Sequence, residues 1–308
     1  MSTDFSIIIL TFNEELHLPR LLHSLQGLNA PIYILDSGST DQTLTIAEKY
    51  GAEILTNSFE NHPKQWDFAL RNFNLTTPWI IGLDSDHIIS PELFTLLSNF
   101  KNSDIPSHIN GIYFNRKNYF KGKWLRHGGY FPKYLLKMFR NGKGKSDLNE
   151  NMDHRFIIEG DTLIWKQGYL LEENLKESNI SFWIAKHNRY SDLVAQEEIE
   201  RRRQLRSQSV KPSLFGNPDQ RIARLKLIWW KLPLFIRPFL YFFHRYFIQL
   251  GILDGTRGFI FHFLQAFWFR LVVDIKMYEY LRREKGISEE AFPPITDWDS
   301  NLNRHDQT

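Results

Sequence analysis

The sequence predicts an α/β fold built on a mostly parallel sheet, because strand-like and helix-like segments alternate over its first 100 residues. Short apolar runs rich in β-branched residues are typical of strands buried on both faces, and they occur at residues 5–10, 32–35, 53–55 and 79–83. Parallel strands joined through helices require right-handed crossovers, and the ligands of such sheets bind at the carboxyl ends of the strands. We therefore look for a site where these runs end.

The intervening segments carry helix signals of three kinds. Leucines at helical spacing predict a helix over residues 15–28, and residues 64–73 are predicted to form another. Ser39, with Gln42 three residues later, forms a capping-box pattern that predicts the start of a helix between the second and third strands. Pro91 stands at the favoured first position of a further helix.

Polar clusters follow three of the predicted strands, at residues 11–15, 36–41 and 84–86. In the last cluster Asp84 and Asp86 are two residues apart, so an extended chain points both carboxylates the same way, where they repel each other. A hard divalent cation resolves that repulsion and can bridge to a diphosphate. The alternative is a polar loop after a buried strand. Convergence of all three clusters at one sheet edge favours the binding site.

The three clusters resemble the three signatures of family 2 glycosyltransferases, inverting enzymes with the GT-A nucleotide-sugar fold. They read Thr-Phe-Asn-Glu-Glu, Asp-Ser-Gly-Ser-Thr-Asp and Asp-Ser-Asp, in the order and at the separations of the family. The resemblance implies that the first two clusters hold the nucleoside and that Asp84 and Asp86 hold the diphosphate through Mg²⁺ or Mn²⁺, with both aspartates as metal ligands. The nucleotide-sugar-binding residues expected on this basis are Thr11, Asn13, Glu14, Asp36, Ser37, Gly38, Lys64, Asp84 and Ser85.

Physical reasoning about the second cluster agrees with that resemblance. Asp36 at a strand end can accept hydrogen bonds from a base or ribose, can cap a helix, or can do both. Gly38 lets the backbone approach a ligand closely. Rossmann dehydrogenases are disfavoured, because no G-x-G-x-x-G follows the first strand. A sugar nucleotidyltransferase would show a Gly- and Arg-rich turn there, which this sequence lacks.

Residues 111–140 are rich in aromatic and basic side chains, which suit sugars and phosphates. The run Trp-Leu-Arg-His-Gly-Gly-Tyr at 124–130 resembles a segment common in bacterial polysaccharide-assembly members of the family, and Lys-His-Asn-Arg-Tyr at 186–190 resembles another. The alternatives are a hairpin with solvated charges and a helix packed under the site. The acceptor- or phosphate-binding residues expected from these segments are Trp124, Arg126, His127, His187, Arg189 and Tyr190.

An inverting transferase needs one carboxylate to deprotonate the acceptor hydroxyl. Many relatives place this base in a His-Glu or Glu-Asp pair, and the corresponding region here is residues 149–154. This sequence departs from both pairs, since Asn149 precedes Glu150 and Asp153 precedes His154. Glu150 and Asp153 both remain candidate catalytic bases, with Asp153 favoured. For either residue the alternative is a surface carboxylate.

The last third of the chain differs in composition. Residues 228–282 hold 17 of the 46 aromatic residues, about twice an even share, and charges interrupt every apolar run. A spanning helix needs about 18–20 mostly apolar residues, so we expect interfacial helices that lie on a membrane. A buried helical cap on the catalytic domain is the alternative. The expected organisation is a GT-A catalytic domain at 1–195 (nucleotide-binding half 1–100, acceptor-binding half 101–195), a charged connecting segment at 196–226, a helical membrane-interface region at 227–290 and a polar tail at 291–308.

Composition narrows the remaining possibilities. The absence of cysteine excludes disulfides and zinc-thiolate sites, and a net charge of +3 is too small to indicate nucleic acid. The chain opens directly into a strand, so we expect a cytoplasmic protein, peripheral on the inner face of the cytoplasmic membrane. The expected donor is a UDP-sugar, and the expected acceptor is a lipid-linked or lipopolysaccharide-type saccharide. The alternatives are a polyprenyl-phosphate glycosyltransferase and a non-catalytic membrane-surface binding protein.

Overall fold

The computed structural model describes residues 3–150, 154–203 and 209–284. Strands and helices alternate over the first hundred residues, as predicted, and each predicted strand is present with one further residue at its carboxyl end. The elements are β1 (Phe5–Thr11), α1 (Leu18–Leu25), β2 (Ile32–Asp36), α2 (Thr43–Lys49), β3 (Glu53–Thr56), α3 (His62–Asn72), β4 (Trp79–Asp84), β5 (His87–Ile89) and α4 (Pro91–Ser98).

The second part of the chain adds strands first and then helices only. Its elements are β6 (Ile109–Phe120), β7 (Lys123–Trp124), β8 (Lys133–Arg140), β9 (Gly144–Ser146), β10 (Phe156–Ile158), β11 (Asp161–Glu172), α5 (Ile180–Arg202), α6 (Pro218–Lys231), α7 (Arg237–Phe243), α8 (Gly255–His262) and α9 (Phe269–Glu284). Between α7 and α8 lie a π-helical turn, His244–Ile248, and a 3₁₀ turn, Gly251–Asp254, and a second π-helical turn, Phe263–Trp268, joins α8 to α9.

The main sheet runs in the order β3-β2-β1-β4-β8-β6-β11-β5. Its first four strands are parallel, whereas β8 is antiparallel to both β4 and β6. The α/β class is confirmed, but the sheet is parallel in one half and mixed in the other. The connection from β6 to β8 contains only the short strand β7 and no crossover helix, so β8 returns beside β6 in the antiparallel direction.

Strand β1 explains how the sheet is buried. All seven of its residues are buried; Ile7 and Ile9 belong to the apolar cluster on the α1 and α4 side, and Ile8 and Leu10 belong to the cluster on the α3 side. Alternate side chains therefore enter different cores, so a continuous apolar run was the correct signal for this strand.

The predicted capping box of α2 is wrong. The helix begins at Thr43, and the preceding Gln42 makes no side-chain cap. The Ser39 hydroxyl instead donates to Asp36 Oδ1 at 2.6 Å. Because Asp36 offers a charged acceptor three residues upstream, the serine closes the β2–α2 turn rather than capping the helix.

The helical part packs onto the sheet domain through α5 and α9. Trp183 and Ile199 of α5 and Val273 and Met277 of α9 share one buried apolar cluster. Helix α5 runs without a break past residue 195, where the sequence suggested a domain boundary. Among the described residues one continuous helical stretch, Gly251–Glu284, is long and apolar enough to cross a membrane, and 44% of its most apolar window is buried inside the protein.

Candidate functional site

The carboxyl ends of β1, β2 and β4 bring the three polar clusters to one edge of the sheet. Thr11 pairs with Asp36 across β1 and β2, and Leu10 pairs with Asp84 across β1 and β4. Strands in parallel register end together, so the chain turns away from the sheet at all three places side by side. The predicted convergence is confirmed.

Asp36 organises this edge from a fully buried position. Its Oδ1 accepts hydrogen bonds from the hydroxyls of Thr11 (2.8 Å) and Ser39 (2.6 Å), and its Oδ2 accepts from the backbone N–H groups of Gly38 (2.8 Å) and Ser39 (2.7 Å). A carboxylate has about four lone-pair positions, and all of them are used here. The expected hydrogen bond from Asp36 to a base or ribose would therefore displace one of these partners.

The turn after β1 is locked to the turn after β2. Asn13 has a φ of 54°, its N–H donates to Ser39 Oγ at 2.7 Å, and its Oδ1 accepts from the N–H of Thr40 at 2.8 Å. Glu14 N–H donates to Thr43 Oγ1 at 2.7 Å. These hydrogen bonds join the two turns into one rigid unit, which we call the double turn.

Phe12 is the exception in this double turn, because 55% of its side chain is exposed. A large aromatic ring on a rigid polar turn offers a flat surface on which a nucleobase can stack. Phe12 belongs to the first sequence motif but is not among the nucleotide-binding residues predicted from it. An aromatic flanked by polar turn residues was the available signal.

The remaining predicted nucleotide contacts differ in their surroundings. Gly38 has a φ of 91° with open space beside it, and Ser37 Oγ accepts from the buried Gln65 Nε2 at 2.8 Å, so both are well placed at the edge. Lys64 is paired with Glu60 at the exposed start of α3. Reaching the edge would require this lysine to leave that pair.

Asp84 at the end of β4 is held by a lysine that the sequence reasoning missed. Lys137 of β8 donates to its Oδ2 at 2.8 Å, and His87 Nε2 is 3.4 Å from the same atom. The His87 Nδ1 accepts from the backbone N–H of Asp84 at 3.0 Å, so a neutral His87 carries its proton on Nε2. Burial alone would raise the pKa of Asp84, but Lys137 and His87 hold that pKa below its usual range.

Asp86 has no comparable cation partner among the described side chains. Its Oδ2 accepts one long hydrogen bond, 3.4 Å, from Asn174 Nδ2. Burial and the nearby carboxylates of Glu172 and Asp84 raise the pKa of Asp86. Glu172, by contrast, is paired with Arg116 and lies 3.4 Å from His87 Nε2, and the charge of Arg116 with the hydrogen bond from His87 outweighs burial and lowers the pKa of Glu172. Negative charge is therefore in excess at Asp86.

This donor set fits a hard divalent cation bound together with a diphosphate. Carboxylate oxygens from an Asp-x-Asp pair are the ligands that Mg²⁺ and Mn²⁺ prefer, and Mg²⁺ is commonly held by one or two carboxylates plus phosphates and water. Among the described residues no group of three or more Asp, Glu, His or Cys side chains forms an all-protein cage. Ser85, between the two aspartates, is buried.

The predicted acceptor segment divides into a partly exposed cluster of rings and cations and an anchored part. Lys117 Nζ lies 4.7 Å from the Trp124 ring and 3.6 Å from the Tyr169 ring, and the Arg126 guanidinium is 5.5 Å from Trp124, giving alternate rings and cations. His127 is anchored instead, because its Nδ1 and its backbone N–H both contact the Asp254 carboxylate, at 2.8 and 2.9 Å.

In the segment 186–190 the three predicted residues have different surroundings. His187 is buried against Trp183, with ring centroids 3.6 Å apart, and Tyr190 packs against the same apolar cluster, while Arg189 is exposed. Lys186 pairs with Glu177 at 2.8 Å, and the charges of Lys186 and Asp86 influence each other's pKa. The helical spacing within the motif predicts which residues share one face of α5, but it does not predict what that face packs against.

Of the two candidate bases, Asp153 lies outside the described residues. Glu150 is only 5% exposed, and three cations surround its carboxylate: Arg155 at 2.7 Å, Lys226 at 3.3 Å and Arg201 at 3.5 Å. The negative charge of Glu150 is therefore balanced by neighbouring cations.

The neighbouring His154 was not assigned a role from the sequence. It stacks on Trp66, and its buried Nε2 has no hydrogen-bond partner among the described residues. Burial, followed by the charge of Lys137, holds the pKa of His154 well below its ordinary value, so the ring is neutral.

Residues 6–157 match the family described as Glycosyl transferase family 2. The chain is 28% identical over 205 residues to the lipopolysaccharide core biosynthesis glycosyltransferase LpsC of Rhizobium meliloti (strain 1021), a match that covers 63% of this chain and 72% of LpsC.

Two solved structures are similar in part. One is S. aureus TarS 1-349 in complex with UDP, with a TM-score of 0.41 and 16% identity over 92% of each chain. The other is glucosyl-3-phosphoglycerate synthase from Mycobacterium tuberculosis in complex with Mn²⁺ and UDP-glucose, with a TM-score of 0.29 and 20% identity. That match covers 38% of this chain and 44% of the synthase, less than half its length.

Proposed function

We propose that this chain, which belongs to glycosyl transferase family 2, moves a sugar from a nucleotide-diphosphate donor to a saccharide acceptor with inversion at the anomeric carbon. The observation that carries the proposal is the meeting of the double turn at Thr11 and Asp36 with the Asp84–Asp86 pair at one sheet edge. The likeness to LpsC supports a lipopolysaccharide-core or lipid-linked saccharide as the acceptor.

On the donor side, the double turn supplies a preformed nucleoside pocket. Its backbone is held by Asp36 and Asn13 before any ligand arrives, so little ordering is needed on binding. Gly38 leaves room for the ribose, and Phe12 offers its ring to the base. UDP is the proposed nucleotide.

On the diphosphate side, Asp86 and Asp84 would hold Mg²⁺ or Mn²⁺. The cation, when bound, offsets the negative charge that develops on the departing diphosphate. Lys137 keeps Asp84 ionised, and His87 fixes its orientation. Asp86 has no cation paired with it among the described side chains, and Lys186 acts on it only from a greater distance, so Asp86 gains most from that ion.

The attacking acceptor hydroxyl must lose its proton to a carboxylate on the face opposite the diphosphate. We propose Asp153 for this role and Glu150 as the alternative. Glu150 would have to exchange one of its three cation contacts for the proton of the acceptor. The alternating rings and cations from Tyr169 to Arg126 suit a sugar that carries phosphate.

A second candidate, transfer to a polyprenyl phosphate, is favoured by the pairing of Glu150. A phosphate acceptor is already ionised, so it needs no general base. In that case the loss of both Glu150 and Asp153 would leave turnover intact, whereas a hydroxyl acceptor requires one of them.

Donor binding is tested by thermal shift with UDP-, GDP-, TDP- and CMP-sugars, each with and without Mn²⁺. A ligand that binds only the folded state raises the melting temperature, and a 100-fold excess over Kd stabilises by about 2.7 kcal/mol. We expect a Mn²⁺-dependent shift with one donor family that Asp86→Asn abolishes. No shift with any nucleotide sugar would refute the proposed function.

The base is tested by comparing Asp153→Asn with Glu150→Gln. Asp153→Asn should lower kcat by about 100-fold or more with an unchanged melting temperature, because only proton transfer is lost. Glu150→Gln should instead lower the melting temperature, since it removes the charge from a buried ionic cluster. The opposite pattern would assign the base to Glu150.

A further inference from the structure

Exposed apolar side chains concentrate in one part of this molecule. Of the 28 large hydrophobic residues that are exposed in the described chain, nineteen lie in residues 209–284 and four in residues 3–150. Scattered exposed apolar residues are normal, whereas a concentration of this size marks an interaction surface.

The densest group covers α7, the two turns after it and α8, residues 235–263, which we call the hairpin. Its exposed residues are 38% to 62% accessible: Phe235, Ile236, Phe239, Leu240, Phe243, Phe247, Ile248, Leu250, Ile252, Leu253, Phe259 and Phe263. Rings connect its two arms, with Tyr246 against Phe259 at 5.7 Å and Phe242 against Phe263 at 6.4 Å. The arms therefore present one continuous apolar surface.

The charges of the hairpin favour an anionic partner. Its single acidic residue, Asp254, is 3% exposed, and its carboxylate is taken up by His127 and by backbone N–H groups. Arg257 is exposed beside Gly122, and Arg126 is exposed in the adjoining loop. Aromatic rings flanked by exposed arginines are typical of helices that lie at a lipid headgroup layer.

The hairpin is tied to the protein in a way that favours lying on a bilayer over crossing it. Helix α9, the second half of the stretch long enough to span, carries the fully buried Asp274, which binds Arg237 and the backbone N–H of Phe235. Entry of α9 into lipid would expose this buried ion pair to hydrocarbon, which is strongly unfavourable.

We propose that the hairpin docks this protein on an anionic lipid bilayer by inserting its exposed aromatic and aliphatic side chains into one leaflet. The 3₁₀ turn at its tip binds the loop of Trp124 and Arg126 through Asp254, so docking holds the ring-and-cation cluster next to the headgroups. Delivery of an acceptor from the membrane rests on the proposed function; docking itself does not, and it is measured without donor or acceptor.

The test is co-sedimentation of the full chain with vesicles of phosphatidylcholine and phosphatidylglycerol. The triple variant Phe239→Ser, Phe243→Ser, Phe247→Ser should partition at least about tenfold less than the parent, since each half-exposed ring contributes transfer energy on insertion. The double variant Phe59→Ser, Leu148→Ser is the matched control, because these side chains are equally exposed on the sheet domain, 52% and 51%.

Two additional variants separate folding and charge from insertion. Leu253→Asp changes a side chain that is 61% exposed, so it removes no core packing, and it should weaken partitioning by itself. Arg257→Glu should weaken binding to vesicles with phosphatidylglycerol but not to pure phosphatidylcholine. Arg71→Glu, on the sheet domain, should change neither.

Loss of binding in the hairpin variants, with retention in the controls and release of the parent by a carbonate wash, supports docking. Equal partitioning of the triple variant and the parent overturns the proposal. A parent that never sediments and forms a dimer, which the triple variant converts to a monomer, would assign the surface to a second copy of the chain. Retention through the carbonate wash would mean that the chain spans the bilayer.

Discussion

The sheet domain and the helical region distribute polar and apolar groups in opposite ways. In the sheet domain the two cores on either side of the sheet are apolar, and the carboxylates of Asp36, Asp84 and Asp86 lie at one edge. In the helical region a guanidinium and a carboxylate, Arg237 and Asp274, are fully buried, while rings such as Phe239 are more than half exposed.

The surroundings of each carboxylate indicate its role. Asp274 is neutralised by Arg237, and Asp36 accepts three hydrogen bonds from its own turn and one from Thr11, so both are satisfied by the protein. Asp86 is the contrasting case, with one long hydrogen bond and a raised pKa. A carboxylate that the protein leaves incompletely neutralised at a strand end indicates a ligand, whereas a satisfied one indicates structure.

The largest expected effect is at Asp86. Asp86→Ala should reduce transfer by about a thousandfold or more, because several kcal/mol of charge stabilisation are lost, while the melting temperature stays equal or rises as repulsion among Asp84, Asp86 and Glu172 is relieved. Steady-state kinetics and a thermal melt measure the two effects. Asp67→Ala, on the surface of α3, is the control. Unchanged turnover with a continued metal requirement would remove Asp86 from the site.

The buried charge of the helical region should respond in stability instead. Arg237→Met should lower the free energy of unfolding by about 3–5 kcal/mol, because Glu198 and Asp274 are left buried without their partner. Denaturant unfolding measures this loss, and Arg71→Met, an exposed paired arginine, is the control. Adding Asp274→Leu and Glu198→Gln to Arg237→Met should recover part of it.

A loss below about 1 kcal/mol in Arg237→Met would mean that the ion pair is solvated and that α9 is not fixed by it. That result would also weaken the case for a hairpin that lies on the membrane, since α9 would then be free to leave the protein.

Local sequence patterns were sufficient for the parallel half of the molecule. Apolar runs located β1, β2 and β4, and the polar residues after them converge because parallel strands end at a common edge. The partners of the two aspartates could not be predicted in this way. Lys137 is 53 residues from Asp84 in sequence, and it reaches that carboxylate only through the antiparallel register of β8 on β4.

Other contacts that the sequence did not predict have the same cause, because local spacing does not show which partner the fold supplies. Ser39 was predicted to cap a helix because its spacing to Gln42 is local, yet a charged acceptor in the same turn binds it more strongly. His127 was predicted to contact the acceptor substrate. Its Nδ1 is bound by Asp254, which lies 127 residues away in the sequence. A sequence pattern shows which side chains are able to bind a partner, whereas the fold determines which partner lies within reach.

Asp36 tests whether a satisfied carboxylate also contacts the nucleotide. Asp36→Ala should lower the free energy of unfolding by about 3 kcal/mol, because four donors around a buried position lose their acceptor. It should also weaken nucleotide binding by roughly 1–3 kcal/mol in calorimetry. Asp36→Asn, which keeps one acceptor oxygen, should show smaller losses. Weakened binding with unchanged stability would mean that the carboxylate contacts the ligand directly.

The effect that is smallest at neutral pH is a pH dependence that originates in the helical region. His262 is fully buried under Gly128, and burial, followed by Arg245 and opposed by Asp254, lowers the pKa of His262 to about 4. The unfolded chain takes up that proton near pH 6.5, so the stability from this group is complete above that pH and is lost as the pH falls towards 4, by about 1.4 kcal/mol per unit.

His262→Leu should reduce the slope of unfolding free energy against pH in this window, whereas replacement of the exposed His23 by Leu should not. His154 and His187 have lowered pKa values of their own and contribute to the parent slope, so the comparison is between slopes. An identical slope in His262→Leu and the parent would mean that the ring is protonated within the fold, and Asp254 would then be its partner.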